Sequence, residues 1–367
     1  MKANSYLQID LQAIKHNIHH IQEEIGPEKK LIPVLKGNAY GLGAVRLAHF
    51  CSQVEGIDTF AVSHVSEGVQ LRQAGIGGEI LVMSLPLDFQ IPDAVEHNLT
   101  LTLGSFRQFP LLRDAACAAG KKISVSLKAD TGLHRIGFLP EETDELCREI
   151  SLAEDYLHIS GTFSHFSSEE KGQMEKQAKR FDSFLNKLRS SVIDPGLCHI
   201  SSSASLEADR KYVYDAVRIG RGLMLDNPVF PSGEICEAVS FRAYLTDIRN
   251  RKTGDTLAYG GKTVLKKDTT VGVLSIGYGD GLDPALVSAH APVLVNGKRA
   301  CLLAACMDQS FVELDGIDAG SGDEVTLFGY DARGNHLPAQ EVAALIDCEG
   351  CDLTVRLTDR VERIFLS

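Results

Sequence analysis

The chain has 367 residues, 44% hydrophobic and 23% charged, with 37 basic and 49 acidic side chains and a net charge of −12. That length supports two domains with sizeable cores, and the acidic balance argues against nucleic acid or an anionic membrane as the main partner. Met1–Asp10 lacks a signal-peptide core and no apolar run has bilayer length, so a cytoplasmic protein without membrane contact is expected.

In chain order, Leu7 and Ile9 alternate with polar residues, which predicts a strand over Tyr6–Ile9. Asp10 suits an N-cap, and Leu11, Ile14, Ile18, Ile21 and Ile25 recur at helical spacing behind it. Short apolar runs then alternate with helical patterns. The runs are Leu31–Lys36, Thr59–His64, Glu79–Ser84, Thr100–Leu103, Ile123–Leu127, His158–Phe163, Leu197–Ser201 and Ala216–Ile219. The helices fall over Ala44–Val54, Ser66–Ala74, Ser105–Ala119, Glu141–Ile150 and Lys171–Arg189. Strand–helix alternation implies parallel pairing, and eight units in about 230 residues predict an α/β fold of the (β/α)8 TIM-barrel type. A doubly wound open sheet competes, but no GxGxxG turn follows an early strand.

Pro228, Pro231 and Gly233 punctuate a linker, after which helical patterns nearly vanish. Val239–Arg249, Thr270–Ile276, Ala291–Val295, Arg299–Ala304, Ser310–Leu314, Glu324–Phe328, Cys351–Leu357 and Val361–Leu366 read as strands. Asn296-Gly297 marks a hairpin, and Pro338–Ile346 reads as a helix. The expected domains are therefore a barrel over 1–230 and a mostly β domain over 231–367, with the first strand free to join the latter. Nine cysteines are scattered; Cys348 and Cys351 form a lone CxxC, and free thiols are expected rather than disulfides or a metal site.

Catalytic groups of such a barrel sit at the C-terminal strand ends. The first end carries Lys36-Gly37-Asn38-Ala39-Tyr40-Gly41-Leu42-Gly43, a lysine beside a glycine-rich loop. Taken alone it is either a solvated strand-end lysine or an amine held for Schiff-base chemistry. The other ends carry Lys128, Asp130, His134 and Arg135; Ser164 and His165; Ser202 and Ser203; and Arg218, Gly220 and Arg221. In the β domain, Ser275-Ile276-Gly277-Tyr278-Gly279-Asp280-Gly281 and Cys306-Met307-Asp308-Gln309 are further distinct stretches.

In the same order from Leu7 to Phe365, these stretches resemble those of the alanine racemase family. The resemblance implies pyridoxal 5′-phosphate joined to Lys36 as a Schiff base, with Tyr40, Ser203, Gly220 and the Arg221 amide on its phosphate. Glycine at the phosphate turn also suits an anion physically. It implies that Arg135 bonds the cofactor phenolic oxygen or the substrate carboxylate, steadied by Lys128, which is carbamylated in some members. Arg218 would face the pyridine nitrogen. Arginine does not give up its proton, so it would weaken the electron sink and suppress side reactions, as suits a racemase.

Racemisation needs a base on each face of Cα. Lys36 would be one and Tyr278 the other. A free phenol titrates near 10, and the resemblance supplies His165 and Arg218 as the cations beside it. Met307 would contribute to the substrate carboxylate pocket, and the resemblance implies a homodimer in which Tyr278 and Met307 reach the other subunit's site. Some positions depart from the family: Gly37 replaces alanine, Leu42 histidine, His134 glycine and Ser202 asparagine. Met224-Leu225-Asp226 follows strand eight in place of Leu-Tyr-Gly, and Val355 falls where the family has a channel tyrosine. A wider channel would admit serine or longer side chains, so serine or broad-spectrum racemisation is the alternative to alanine. A cofactor-binding barrel without turnover would lack the β domain, and a decarboxylase of this barrel type would place an acid where Arg218 stands.

Overall fold

The computed structural model describes residues 3–54, 56–225 and 235–367. The linker expected at Pro228, Pro231 and Gly233, and with it the boundary near 230, lies outside the described residues. The chain divides into two compact units: Ile18–Ala39 with Ala44–Leu223, and Met1–Asn17 with Tyr40–Gly43 and Met224–Ser367.

Strand β1 (Ser5–Asp10) runs into helix α1 (Leu11–Ile25). The Asp10 Oδ1 accepts from the N–H of Gln12 at 2.8 Å and of Ala13 at 3.0 Å, which satisfies two donors of the first turn. The expected stripe of Leu11, Ile14, Ile18, Ile21 and Ile25 is buried.

The barrel consists of β2 (Lys30–Pro33), β3 (Thr59–Val62), β4 (Glu79–Val82), β5 (Thr100–Leu103), β6 (Ile123–Lys128), β7 (Leu157–Phe163), β8 (Leu197–Ser202) and β9 (Ala216–Ile219). They are parallel, in the order β2-β9-β8-β7-β6-β5-β4-β3. Every residue of β3, β5 and β9 is buried, as expected of strands covered on both faces. A single parallel bridge, Val34 to Ala61, and the Leu35 N–H to Ala61 carbonyl bond at 2.8 Å close β2 onto β3. Helices Ile91–Glu96 and Ser203–Ala208 were not foreseen. Six residues are too few to show an apolar period.

The second unit holds a nine-stranded sheet. Within it β1 pairs antiparallel with β10 (Val239–Arg251) and parallel with the strand Glu362–Leu366. Asn296 (φ 50°) and Gly297 (φ 81°) turn Pro292–Val295 into Lys298–Ala305. One expected strand is corrected. Cys351–Leu357 is occupied by helix Gly350–Val355 and its C-terminal turn. The spacing Leu353, Val355, Leu357 looked like strand alternation, but Leu353 and Leu357 are also an i, i+4 pair. Thr354 is wholly buried and Val355 is 44% exposed, the reverse of what alternation requires.

Candidate active site

Parallel strands put all their C-terminal ends on one rim of the barrel, and the rim chemistry centres on Arg218. Register sets Arg218 of β9 against Ile32 of β2 and Ser202 of β8. The side chain is 3% exposed and its guanidinium is pinned by acceptors. Nη1 reaches the His199 Nδ1 and, at 3.4 Å, the His199 carbonyl. Nη2 donates to the Ser164 carbonyl at 2.8 Å, the Ile200 carbonyl at 3.0 Å and the His165 Nδ1 at 3.1 Å. The Nε–H has no partner among the described residues. The guanidinium carbon lies 5.4 Å from the centroid of the Phe163 ring. Burial and the charge of Arg135 push Arg218 down to about 9, which leaves it cationic at neutrality.

His165 was expected to lend positive charge; it is neutral instead. Burial, then the charges of Arg218, Lys128, Arg135 and Lys36, push it down to about 3. Its Nδ1 is the acceptor of Arg218, so the proton of the neutral ring sits on Nε2. His199, which no sequence signal singled out, is wholly buried and held well below the usual histidine range by burial, Arg218 and Lys128. Unfolded histidines titrate near 6.5. The unfolded state therefore binds more protons from there down to about 3, the folded value of His165, and stability falls as pH falls through that window. Urea unfolding is expected to show a loss of roughly 2 kcal/mol from His165 between neutral pH and about pH 5, with His199 acting in the same direction. A flat profile over that range would contradict the neutral assignment.

Lys128 ends β6 at 2% exposure. Its Nζ donates to the Ala129 carbonyl at 2.9 Å and lies 5.2 Å from the Phe163 ring centroid. Burial, with the charges of Arg218 and Arg135 and against the pull of Asp130, brings its amine down to about 7. The unprotonated amine is the form that adds carbon dioxide, so a carbamate is chemically open to Lys128. The loop beyond it closes on itself: Asp130 N–H to Phe138 carbonyl and Phe138 N–H to Lys128 carbonyl are both 2.8 Å. The Asp130 Oδ1 takes the N–H of Gly132 and of His134, each at 3.0 Å. His134 adopts φ 55°, and Arg135 follows it at the exposed tip.

Lys36 stands just past β2, and the backbone behind it winds left-handed. Gly37 (φ 61°), Asn38 (φ 55°), Ala39 (φ 53°) and Tyr40 (φ 54°) are consecutive. For residues with a Cβ this costs about 1–2 kcal/mol each, so other contacts must hold it. The Ala39 N–H reaches the Leu35 carbonyl at 2.8 Å, and the Asn38 Oδ1 accepts from the Ala44 N–H at 2.8 Å.

At the ends of β8 and β9 the Ser203 Oγ accepts from the Gly220 N–H at 3.3 Å and the Gly222 N–H at 3.4 Å. A Cβ on Gly222 would lie 3.2 Å from that oxygen. Two backbone amides thus converge on the Ser203 hydroxyl through long bonds, and a phosphate, a stronger acceptor than a neutral hydroxyl, could take these amides and the Ser203 O–H together. With the outstanding Arg218 Nε–H, the residues present fit pyridoxal phosphate.

In the other unit, Tyr278 and Met307 lie on interlocked loops. The Tyr278 N–H reaches the Cys306 carbonyl at 3.2 Å, and the Gly279 N–H reaches the Met307 carbonyl at 2.8 Å. A Cβ on Gly277 would come within 2.3 Å of the Cys306 and Met307 carbonyl oxygens, so glycine is required there. Arg360 braces both loops through Asp280 at 3.0 Å and Asp308 at 2.7 Å. Tyr278 is 41% exposed and Met307 51%. The same unit packs the backbone of Thr354 and Val355 on Gly41, where a Cβ would lie 2.1 Å from the Thr354 carbonyl oxygen.

The family model described as alanine racemase, N-terminal domain, matches residues 9–228, and that described as alanine racemase, C-terminal domain, matches residues 238–365. A protein named alanine racemase from Desulforamulus reducens is 33% identical over 380 residues, covering 100% of both chains. One of the same name from Methanococcus maripaludis is 30% identical over 374 residues, covering 98% of both. The crystal structure of alanine racemase from D-cycloserine-producing Streptomyces lavendulae superposes with a TM-score of 0.92 at 29% identity, covering 100% of this chain and 98% of that one.

Proposed function

The chain belongs to the alanine racemase family, and we propose that it interconverts L- and D-alanine with two bases on opposite faces of the substrate Cα, Lys36 of one subunit and Tyr278 of the partner subunit. The observation that carries this reading is the barrel rim. There a guanidinium fixed by five acceptors at the end of β9 adjoins an amide-and-hydroxyl cradle.

Pyridoxal phosphate, when bound, spreads the charge left on Cα after proton loss. Lys36 would bear it, and Tyr40, Ser203 and the amides of Gly220 and Arg221 would hold its phosphate. Arg218 would face its ring nitrogen with a cation that does not act as an acid. Arg135 and Met307 would receive the substrate carboxylate. Lys36 Nζ removes and returns the proton on one face; the phenol oxygen of Tyr278 does so on the other. His165, whose Nδ1 accepts from Arg218, keeps its proton on Nε2 and would offer it to that phenol oxygen, favouring the deprotonated form. Tyr278 and Met307 are both solvent-exposed within one subunit, which supports a homodimer with shared sites.

The reading is tested by incubating the holoenzyme with L-alanine in deuterated water. D-alanine carrying deuterium at Cα should appear on chiral chromatography, and borohydride should fix the cofactor on Lys36. No D-alanine, or a tag on another lysine, would overturn it.

A specific observation favours a wider substrate range. Val355, where the family has a channel tyrosine, is exposed beside the Gly41 backbone. Val355→Tyr is expected to lower kcat/KM for serine relative to alanine by roughly tenfold. An unchanged ratio of the two would rule Val355 out as the determinant.

A further inference from the structure

Glu67 takes no part in the chemistry above, yet both of its carboxylate oxygens are engaged. It is the third residue of helix Val65–Gln73, which follows β3. Its Oε2 accepts from the N–H of Ser63 at 2.8 Å and of His64 at 2.9 Å. That half is an ordinary helix cap. Its Oε1 accepts from the N–H of Gly37 at 2.6 Å. Gly37 belongs to neither that helix nor its strand; it is the first residue of the left-handed turn behind Lys36.

We propose that Glu67 is a positioning residue for Lys36, its carboxylate fixing the Gly37 amide and thereby the turn that aims the lysine at the rim. This rests on the reading of Lys36 as the cofactor-bearing base. The place matters. Among the described residues, backbone pairing across the seam between β2 and β3 consists of the Val34–Ala61 bridge and the Leu35 N–H bond. Immediately beyond, the chain enters conformations that side-chain-bearing residues do not hold unaided. Glu67 extends the seam by one charged clamp at the point where Lys36 leaves it. The clamp demands a carboxylate. Three N–H donors converge on two oxygens, whereas glutamine offers one acceptor oxygen and would turn its own N–H2 against a donor. A bond to an ionised acceptor also keeps its strength at the solvent edge better than a neutral one.

Glu67→Gln tests this in the holoenzyme, with Glu142→Gln as the comparison. Glu142 makes the analogous cap through the Leu139 N–H at 2.7 Å, in the 3-10 turn Pro140–Glu142 that precedes the helix Thr143–Leu152 after β6. Glu67→Gln is expected to lower kcat by roughly tenfold to a hundredfold with KM little changed, to slow borohydride trapping and to alter the Schiff-base absorbance. Glu142→Gln should lose only thermal stability. Equal trapping, absorbance and kcat in Glu67→Gln and wild type would overturn the positioning role while leaving the racemase reading intact. Absence of trapping on Lys36 in the wild type would overturn both. Should Glu67→Gln fail to fold, amide hydrogen exchange in the wild-type holoenzyme decides. Slow exchange at Gly37 supports the clamp, and exchange at the rate of an open loop overturns it.

Discussion

Tyr278→Phe is expected to slow loss of the α-proton from L-alanine by roughly 10²–10⁴-fold, with a far smaller effect on D-alanine. The asymmetry follows from assigning the phenol to one face of Cα and Lys36 to the other. Phenylalanine keeps the ring and its packing but removes the only group able to carry the proton. Isotope washout measured separately from each enantiomer decides the matter; equal losses would remove Tyr278 from its face. Mixing Lys36→Ala and Tyr278→Phe subunits adds a sharper check. A mixed dimer contains one site with both native bases, so activity should return that neither parent has. Persistent inactivity of the mixture would mean that Tyr278 serves its own subunit.

Arg218→Lys should be the most damaging conservative change in the barrel. The guanidinium is buried and spans two histidine nitrogens and three carbonyls from β7 and β8 and their ends. A single ammonium cannot reach across that fork. Buried acceptors left unmade cost about 1–3 kcal/mol each, so urea unfolding should record a loss of roughly 2–4 kcal/mol. Racemisation should fall as well, since His165 loses the bond that fixes its tautomer. A loss below about 1 kcal/mol would mean that the network relaxes around lysine and that its geometry is not essential.

The barrel was legible because its strands are uniformly apolar and its helices long enough to show a period. Thr100–Leu103 and Ala216–Ile219 were read with their observed bounds. The six-residue helices and Cys351–Leu357 were not, since over so few residues the two periods cannot be separated. The candidate rim residues stand out in the sequence because lysine, arginine and histidine are conspicuous at the ends of apolar runs. His199 escaped notice inside β8, where a lone polar side chain looks like any satisfied core residue until Arg218 is seen against it. Glu67 escaped for the opposite reason. A glutamate in the first turn of a helix is explained by capping alone, and only the coordinates reveal a second oxygen turned toward Gly37.

The position of β1 has a consequence for how the chain is made. The opening strand is lodged between β10 and the strand Glu362–Leu366. A ribosome therefore releases this segment well before either neighbour exists. For most of synthesis it is a ribbon with two unpaired edges, open to wrong partners on nearby nascent chains. Removing the last few residues would leave one of those edges permanently bare.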